Sequence, residues 1–309
     1  MNINKMFLIE ISMDLIDGLK AFVATAQTGS FTDAAEQLGI SNRLTSKYVA
    51  QLEEKLGVLL LQRTTRKVGV TPSGQELLAK APAILDELDE LLGSISDDSQ
   101  GLTGVLRIAA PVTFGELFIS DILSRFSTLH PKLAIDLRLS DEHVDLAKEG
   151  FDLAFRVGEP DIVTLKARKL GEITSLLVAS ADYLSKNKAP ETPADLKMHT
   201  CIVDTNRRDA RRWSFYKDAE EYTFAPSRNL LVNSARIAKE WALNGRGIAL
   251  CPSFVLQAEI ESKMLTPLLS DYAMKTSPLY AVYLSHNLVP KKVRALIDFA
   301  IDDFRNKSC

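Results

Sequence analysis

Asn42, Arg43, Thr45, Ser46 and Lys47 crowd a short stretch of the chain, and Arg63, Thr64, Thr65, Arg66 and Lys67 follow as a second polar run. An arginine fork bonds guanine through two donors, and an asparagine amide bonds adenine in the same manner. Short hydroxyls interleaved with guanidinium and ammonium groups suit phosphate and sugar contacts, which position a protein without reading sequence. Ser30 and Thr32, just upstream, belong with this set. Across residues 41–67, Arg43, Lys47, Lys55, Arg63, Arg66 and Lys67 stand against Glu53 and Glu54, a local net charge of +4. The whole chain carries −3, so affinity for a polyanion must come from this patch. Residues 81–98 hold Asp86, Glu87, Asp89, Glu90, Asp97 and Asp98 and no basic residue, so that segment does not face phosphate. Taken alone, the first run also fits a solvated polar helix face.

Other chemistry is sparse. Cys201, Cys251 and Cys309 are odd in number and form no close pair, and His130, His143, His199 and His286 lack zinc-ligand spacing. Reduced structural thiols are expected, with no metal, cofactor or catalytic set. Peroxide sensing is disfavoured, since Cys201 lacks a nearby resolving cysteine. The interrupted N-terminus lacks the apolar run of a signal peptide or membrane helix, so a cytoplasmic protein without membrane association is expected.

The elements that must position these groups can be read in order. Residues 1–12 carry little pattern and are expected as an extension, disordered or preceding a start at Met13. Leu15, Leu19, Phe22, Val23 and Ala26 then mark one helical stripe. Ser30-Phe31-Thr32-Asp33 has the form of a capping box, Ala34, Ala35 and Leu38 supply a buried side, and Gly39 suits a left-handed stop. Ser41 caps a third helix whose Val49, Leu52 and Leu56 point inward, leaving its polar start free to enter a major groove. Apolar residues 58–61 and 68–70 read as strands flanking a hairpin tip at 63–67. Thr71-Pro72-Ser73-Gly74 opens a long helix along which Leu77, Ala81, Ile84, Leu88, Leu91 and Ile95 repeat as an a/d seam, a dimerisation face. Packing on its own domain is the other reading of that stripe, and Pro82 is expected to bend the helix.

A polar, glycine-containing run follows, and beyond it strands and helices alternate, as in a mostly parallel sheet covered by helices. Strands are expected at 105–109, 134–139, 153–157, 175–179, 201–203, 230–232, 248–251 and 279–284. The resulting organisation is an extension (1–12), a DNA-binding domain (13–72), a linker helix (73–98), a hinge (99–104) and a regulatory domain (105–309). The last divides into lobe I, about 105–174 and 268–304, and lobe II, about 175–267. Ligands gather beyond the carboxyl ends of strands in such sheets. That selects Pro111, Val112, Thr113 and Phe114, then Ser140, then Arg156, Val157 and Gly158, and in lobe II Asp204 and Thr205. Thr113, Ser140 and Arg156 favour a small carboxylate, with Asp204 facing a polar or cationic group; a bridge from Arg156 to Asp152 or Asp204 is the competing reading. The cluster Arg207-Arg208-Asp209-Ala210-Arg211-Arg212 reads as a solvated loop, with contact to DNA or to an oligomer partner as the competing readings.

Phe31-Thr32-Asp33-Ala34-Ala35-Glu36-Gln37-Leu38, Leu52-Glu53-Glu54-Lys55-Leu56-Gly57-Val58, Arg63-Thr64-Thr65-Arg66 and Val70-Thr71-Pro72-Ser73-Gly74 closely resemble the winged helix-turn-helix of LysR-type transcriptional regulators. Trp213, Asn233, the run from Gly245 to Pro252 and Tyr280-Ala281-Val282-Tyr283 resemble that family's effector domain, so the resemblance covers about residues 13–303. It implies an all-α winged helix-turn-helix, a dimer-forming linker helix, often a tetramer, and a two-lobed α/β effector domain like a periplasmic binding protein. Expected partners are double-stranded operator DNA, a small-molecule effector, a second copy of the chain and, further, RNA polymerase. Thr45, Leu59 and Leu284 depart from the family pattern; at position 45 an apolar residue is usual, and Thr45 would instead offer a hydroxyl or methyl to DNA. The competing class is an enzyme or solute-binding protein with an accessory helix-turn-helix. Against it, no Ser-His-Asp or metal motif occurs in the cleft loops and no export signal is present.

Overall fold

A computed structural model describes residues 3–63, 68–95, 101–159, 165–226, 229–284 and 289–306. Helix α1 (Ile3–Thr28) begins ten residues before the expected start, replacing the extension over 3–12, because no proline, glycine or cap interrupts that stretch. Its Ala21 and Phe22 are buried against Val49 and Leu52 of α3. Helix α2 (Phe31–Leu38) is capped by Ser30, whose hydroxyl accepts from the Asp33 amide at 3.3 Å. The reciprocal half of the expected capping box is replaced: the Ser30 amide donates to Thr28 Oγ1 instead. Gly39 ends α2 at φ 65°, where a side chain would strain the turn, and α3 (Asn42–Leu56) follows with Ser41 as its cap.

The wing is shorter and later than its apolar residues suggest: β1 (Leu61–Arg63) pairs with β2 (Val68–Val70), Leu61 opposite Val70. Glu53 explains the shift. Its Oε1 accepts the Leu60 and Leu61 amides at 2.7 and 3.0 Å, holding Val58 and Leu59 outside the ladder. Helix α4 (Pro72–Ile95) starts under the wing, where the Thr71 hydroxyl bonds Leu59 O and accepts from the Gly74 amide. A Cβ at Gly74 would lie 2.1 Å from Leu60 O, so only glycine fits. The helix runs unbroken through Pro82.

The seam expected along α4 divides. Ala81 is buried with Leu78 and Leu85 in the domain's own core and is unavailable to a partner, because this part of α4 lies against α1. Leu77 and Leu88 are half-buried, while Ile84 and Leu91, one heptad apart, are 60 % and 57 % exposed. The side chain of Ile95 lies outside the described residues.

Lobe I opens with β3 (Gly104–Ala110), a helical segment made of α5 (Val112–Phe114), a π-helical turn (Gly115–Ile119) and α6 (Ser120–Leu129), then β4 (Leu133–Leu139), α7 (Leu146–Glu149), β5 (Leu153–Val157) and β6 (Leu165–Ile173). The chain crosses directly into lobe II: β7 (Ser175–Ser180), α8 (Ala181–Lys186), β8 (Cys201–Asp204), the hairpin β9 (Trp213–Lys217) and β10 (Glu220–Phe224), β11 (Asn229–Val232), α9 (Ala235–Leu243), β12 (Ile248–Pro252), α10 (Ser253–Glu261), β13 (Leu265–Leu268) and β14 (Ala273–Met274). It returns to lobe I as β15 (Ser277–Leu284) and α11 (Lys291–Asn306). The two five-stranded sheets have orders β4-β3-β5-β15-β6 and β11-β8-β12-β7-β13. In each order the first three strands run parallel and the fourth is antiparallel to both its neighbours, and loops beyond strand ends of both sheets line a common cleft. Among the described residues no helix is long and apolar enough to cross a membrane.

Candidate nucleic-acid interface and ligand cleft

The first site is the exposed start of α3. Asn42, Arg43 and Lys47 are exposed and Ser46 is half-exposed on one side of the helix, while Val49 and Leu52 fix the other side to α1. Thr32 on α2 and Asn42 on α3 are tied together, Asn42 Nδ2 donating to Thr32 Oγ1 at 2.9 Å, and Ser46 Oγ donates to Asn42 Oδ1 at 3.5 Å. This exposed chain of polar groups fixes the angle between the two helices of the motif. Ser30 is spent on capping α2.

Thr45 does not belong to that surface. It is fully buried, and its hydroxyl donates to Ser41 O at 3.1 Å. Positions 45, 49 and 52 share the inward stripe, so the polar side chain is satisfied by the preceding turn rather than offered to solvent. Leu56, expected inward, is exposed instead. Thr64, Thr65, Arg66 and Lys67 lie outside the described residues, as does the side chain of Arg63.

The second site is a cavity of about 480 Å³ between the lobes, within the range of small-molecule pockets. Of the residues selected from sequence, Pro111, Thr113, Phe114, Ser140, Arg156, Val157, Gly158 and Asp204 line it. Val112 does not line it, and its amide donates to Asp141 Oδ1 at 2.9 Å. Thr205 also lies outside, its amide and hydroxyl both turned to Val232 O.

Arg156 is buried at the end of β5. Its Nη2 donates to Val144 O at 2.6 Å, and its Nη1 has no hydrogen-bond partner among the described residues. Burial lowers its pKa, opposed by the charge of Asp145. The competing reading of Arg156 as a bridge to a carboxylate is not what is seen: Asp152 accepts from the Arg107 amide and Asp204 from the Asn206 amide. Burial raises the Asp204 carboxyl above its usual range, the Asn206 bond and Arg207 opposing the shift.

Several cleft residues escaped the sequence reading. Arg207, placed there in a solvated loop, instead turns inward; its Nη1 donates to Ser175 Oγ at 2.9 Å, and its Nε is buried without a partner among the described residues. Asn206 spans the cleft, with Nδ2 donating to Asp141 Oδ2 of lobe I at 2.8 Å and to Asn233 O of lobe II at 2.6 Å. Arg236 reaches Glu116 across the same gap at 3.0 Å. Between the lobes, Phe254 of α10 packs edge-on against Phe114 and Phe118. The signal for Asn206 and Arg207 was present, since both follow the carboxyl end of β8 directly; the run of four arginines obscured it. Cys201 and Cys251 are buried, and burial pushes both thiols up to about 12, which leaves them protonated and unreactive at neutral pH.

Comparison with known proteins follows the same division of the chain. Residues 16–75 match the model for the bacterial regulatory helix-turn-helix protein of the lysR family, and residues 99–305 match the LysR substrate binding domain. An uncharacterised HTH-type transcriptional regulator of Haemophilus influenzae is 36 % identical over 92 % of this chain and 99 % of its own length. The HTH-type transcriptional regulator PtxR of Pseudomonas aeruginosa is 35 % identical over 92 % and 91 %. Among solved structures, CrgA, a LysR-type transcriptional regulator from Neisseria meningitidis, superposes with a TM-score of 0.60 at 31 % identity, covering 93 % of this chain and 97 % of that one.

Proposed function

The chain belongs to the LysR family of bacterial helix-turn-helix transcriptional regulators, and from that premise we propose how its parts divide the work. The start of α3 enters a major groove with Asn42, Arg43, Ser46 and Lys47, while Thr32 and the segment 63–67 hold the flanking phosphates. One observation carries this reading: the exposed polar start of α3 stands clear of the core that Val49 and Leu52 anchor. A second copy of the chain joins through Ile84, Leu88 and Leu91 of α4, which places two reading heads on one duplex. A tetramer, RNA polymerase contact and a cytoplasmic location follow the pattern of such regulators.

The cleft takes the effector, a small carboxylate held by Arg156 with Thr113 and Ser140. The unpaired Nη1 of Arg156 supports an anionic ligand, because a buried guanidinium N–H without a partner costs about 1–3 kcal/mol that a carboxylate oxygen would recover. Bound ligand then favours one arrangement of the lobes over another, to the extent that its affinity for the two differs. Selection of duplexes from a random pool by the purified protein tests the DNA reading. Enrichment of a dyad-symmetric site with half-sites about one helical turn apart, or a multiple of it, is expected; a pool that remains random, at a salt concentration where the protein still binds, contradicts it.

A further inference from the structure

Two arginines, one from each lobe, line one cavity, and each carries a buried N–H without a partner among the described residues. Arg156 stands near the end of β5 in lobe I, and Arg207 stands three residues past β8 in lobe II; Nη1 of the first and Nε of the second have no partner among the described residues. Each guanidinium also has a donor committed within its own lobe, to Val144 O at 2.6 Å and to Ser175 Oγ at 2.9 Å. Those bonds orient the two side chains and leave the unpaired N–H groups for a third party. Burial lowers the pKa of both, yet a guanidinium does not give up its proton in a protein, so both charges persist.

Five acids line the cleft, Asp141, Glu142, Glu159, Asp204 and Asp209, and none of them pairs either N–H, although Asp204 and Asp209 offset part of the charge of Arg207. Asp141 is engaged by the Val112 amide and by Asn206, and Glu159 accepts from the Tyr280 hydroxyl at 3.2 Å. Asp204 is committed to the Asn206 amide at 3.1 Å; it offsets part of the charge of Arg207 without pairing its Nε. A ligand with a single carboxylate satisfies one lobe and leaves the other guanidinium unpaired.

We propose that the effector is a dicarboxylate, one carboxylate on Arg156 and the other on Arg207, so that a single molecule joins the two lobes. This rests on the reading of the cleft as the effector site and names the class of ligand it takes. It also supplies the differential affinity that regulation requires, since a two-headed ligand gains its second contact only in lobe arrangements that bring both arginines within its reach.

Calorimetry of the full chain tests the proposal, with succinate, glutarate and adipate titrated beside their single-headed counterparts butyrate, valerate and hexanoate. At least one diacid is expected to bind tenfold or more tightly than its counterpart. Arg207→Gln should bring that diacid down to the level of the monoacid without weakening the monoacid, and Arg156→Gln should abolish both. Should Arg207→Gln not fold, as judged by its melting temperature, Arg207→Lys replaces it, and a diacid advantage reduced at least threefold is expected. Diacids no tighter than monoacids, or an advantage untouched by either change at Arg207, overturn the dicarboxylate while leaving the carboxylate reading standing if Arg156→Gln still abolishes binding. No heat from any of the six acids overturns both.

Discussion

Arg156 donates to the main-chain carbonyl of Val144 at 2.6 Å, tying the floor of the cleft to the segment that opens α7. Asp145 caps that helix through the Ala147 and Lys148 amides. On its far side, Leu146, Ala147 and Gly150 share a small apolar cavity with Leu78, Pro82 and Ala83 of α4. A side chain that lines the cleft is thus two short steps from the linker helix. Gly150 closes the path: it adopts φ +71°, and a Cβ there would lie 2.8 Å from Cγ of Gln27 on α1. Gly150→Ala is expected to destabilise by about 1–2 kcal/mol, from the left-handed backbone and the steric clash together. Urea unfolding should register the loss, and adding Gln27→Ala should recover only the share due to the clash. A loss that Gln27→Ala leaves wholly unrelieved would mean that the regulatory and DNA-binding domains do not meet at this point.

Thr45 is a second place where the fold makes a definite demand. Thr45→Val keeps the shape of a fully buried side chain and removes a hydroxyl bonded only to the preceding turn. Stability within about 1 kcal/mol of the parent is expected, with the same half-site recovered by DNA selection. A changed base preference would place position 45 at the DNA after all.

Ile84 and Leu91 carry the assembly prediction. They are large, apolar, exposed and one heptad apart, whereas Ala81 of the same seam is sealed inside the chain. Replacing both with glutamate should convert a dimer or larger assembly into a monomer in light scattering and weaken operator binding at least tenfold, because a single half-site loses its tethered partner. An assembly that survives the double change uses another surface.

Asp204 gives a dependence on pH. Burial raises its folded-state pKa above the ordinary carboxylate value. Its contribution therefore favours the fold below that ordinary value and is lost as pH rises through the raised one. Asp204→Asn keeps an oxygen to accept from the Asn206 amide and removes the titration, so the variant should melt higher than the parent at pH 7. That advantage should vanish on acidification to about pH 4, near the unperturbed carboxylate value. A gain that persists unchanged into acid would have to arise from something other than this carboxyl.

The helix ends around the reading head were legible because single residues set them: Ser30 and Ser41 as caps and Gly39 as a left-handed stop. The strand ends near the cleft were legible to within one residue, expected at 109, 139, 157 and 203 and found at Ala110, Leu139, Val157 and Asp204. Side-chain direction was harder. Thr45 was assigned outward by its polarity when its spacing from Val49 and Leu52 points it inward, and Ala81 fitted two stripes of one helix. Arg207 was hidden by its neighbours, since charge in a run reads as solvent exposure. The hairpin of β9 and β10 was missed because Glu220, Glu221 and Tyr222 are exposed and give its outer strand no apolar alternation.

The central claim is that this chain reads DNA with one part and senses a ligand with another, and paired titrations of one double variant test it most directly. Arg43→Ala with Arg66→Ala should weaken binding to the selected operator at least a hundredfold and lower the slope of log affinity against log salt, by about 1 for each phosphate no longer neutralised, while the affinity of the cleft for its acid stays unchanged. Operator binding that survives both substitutions would contradict the account.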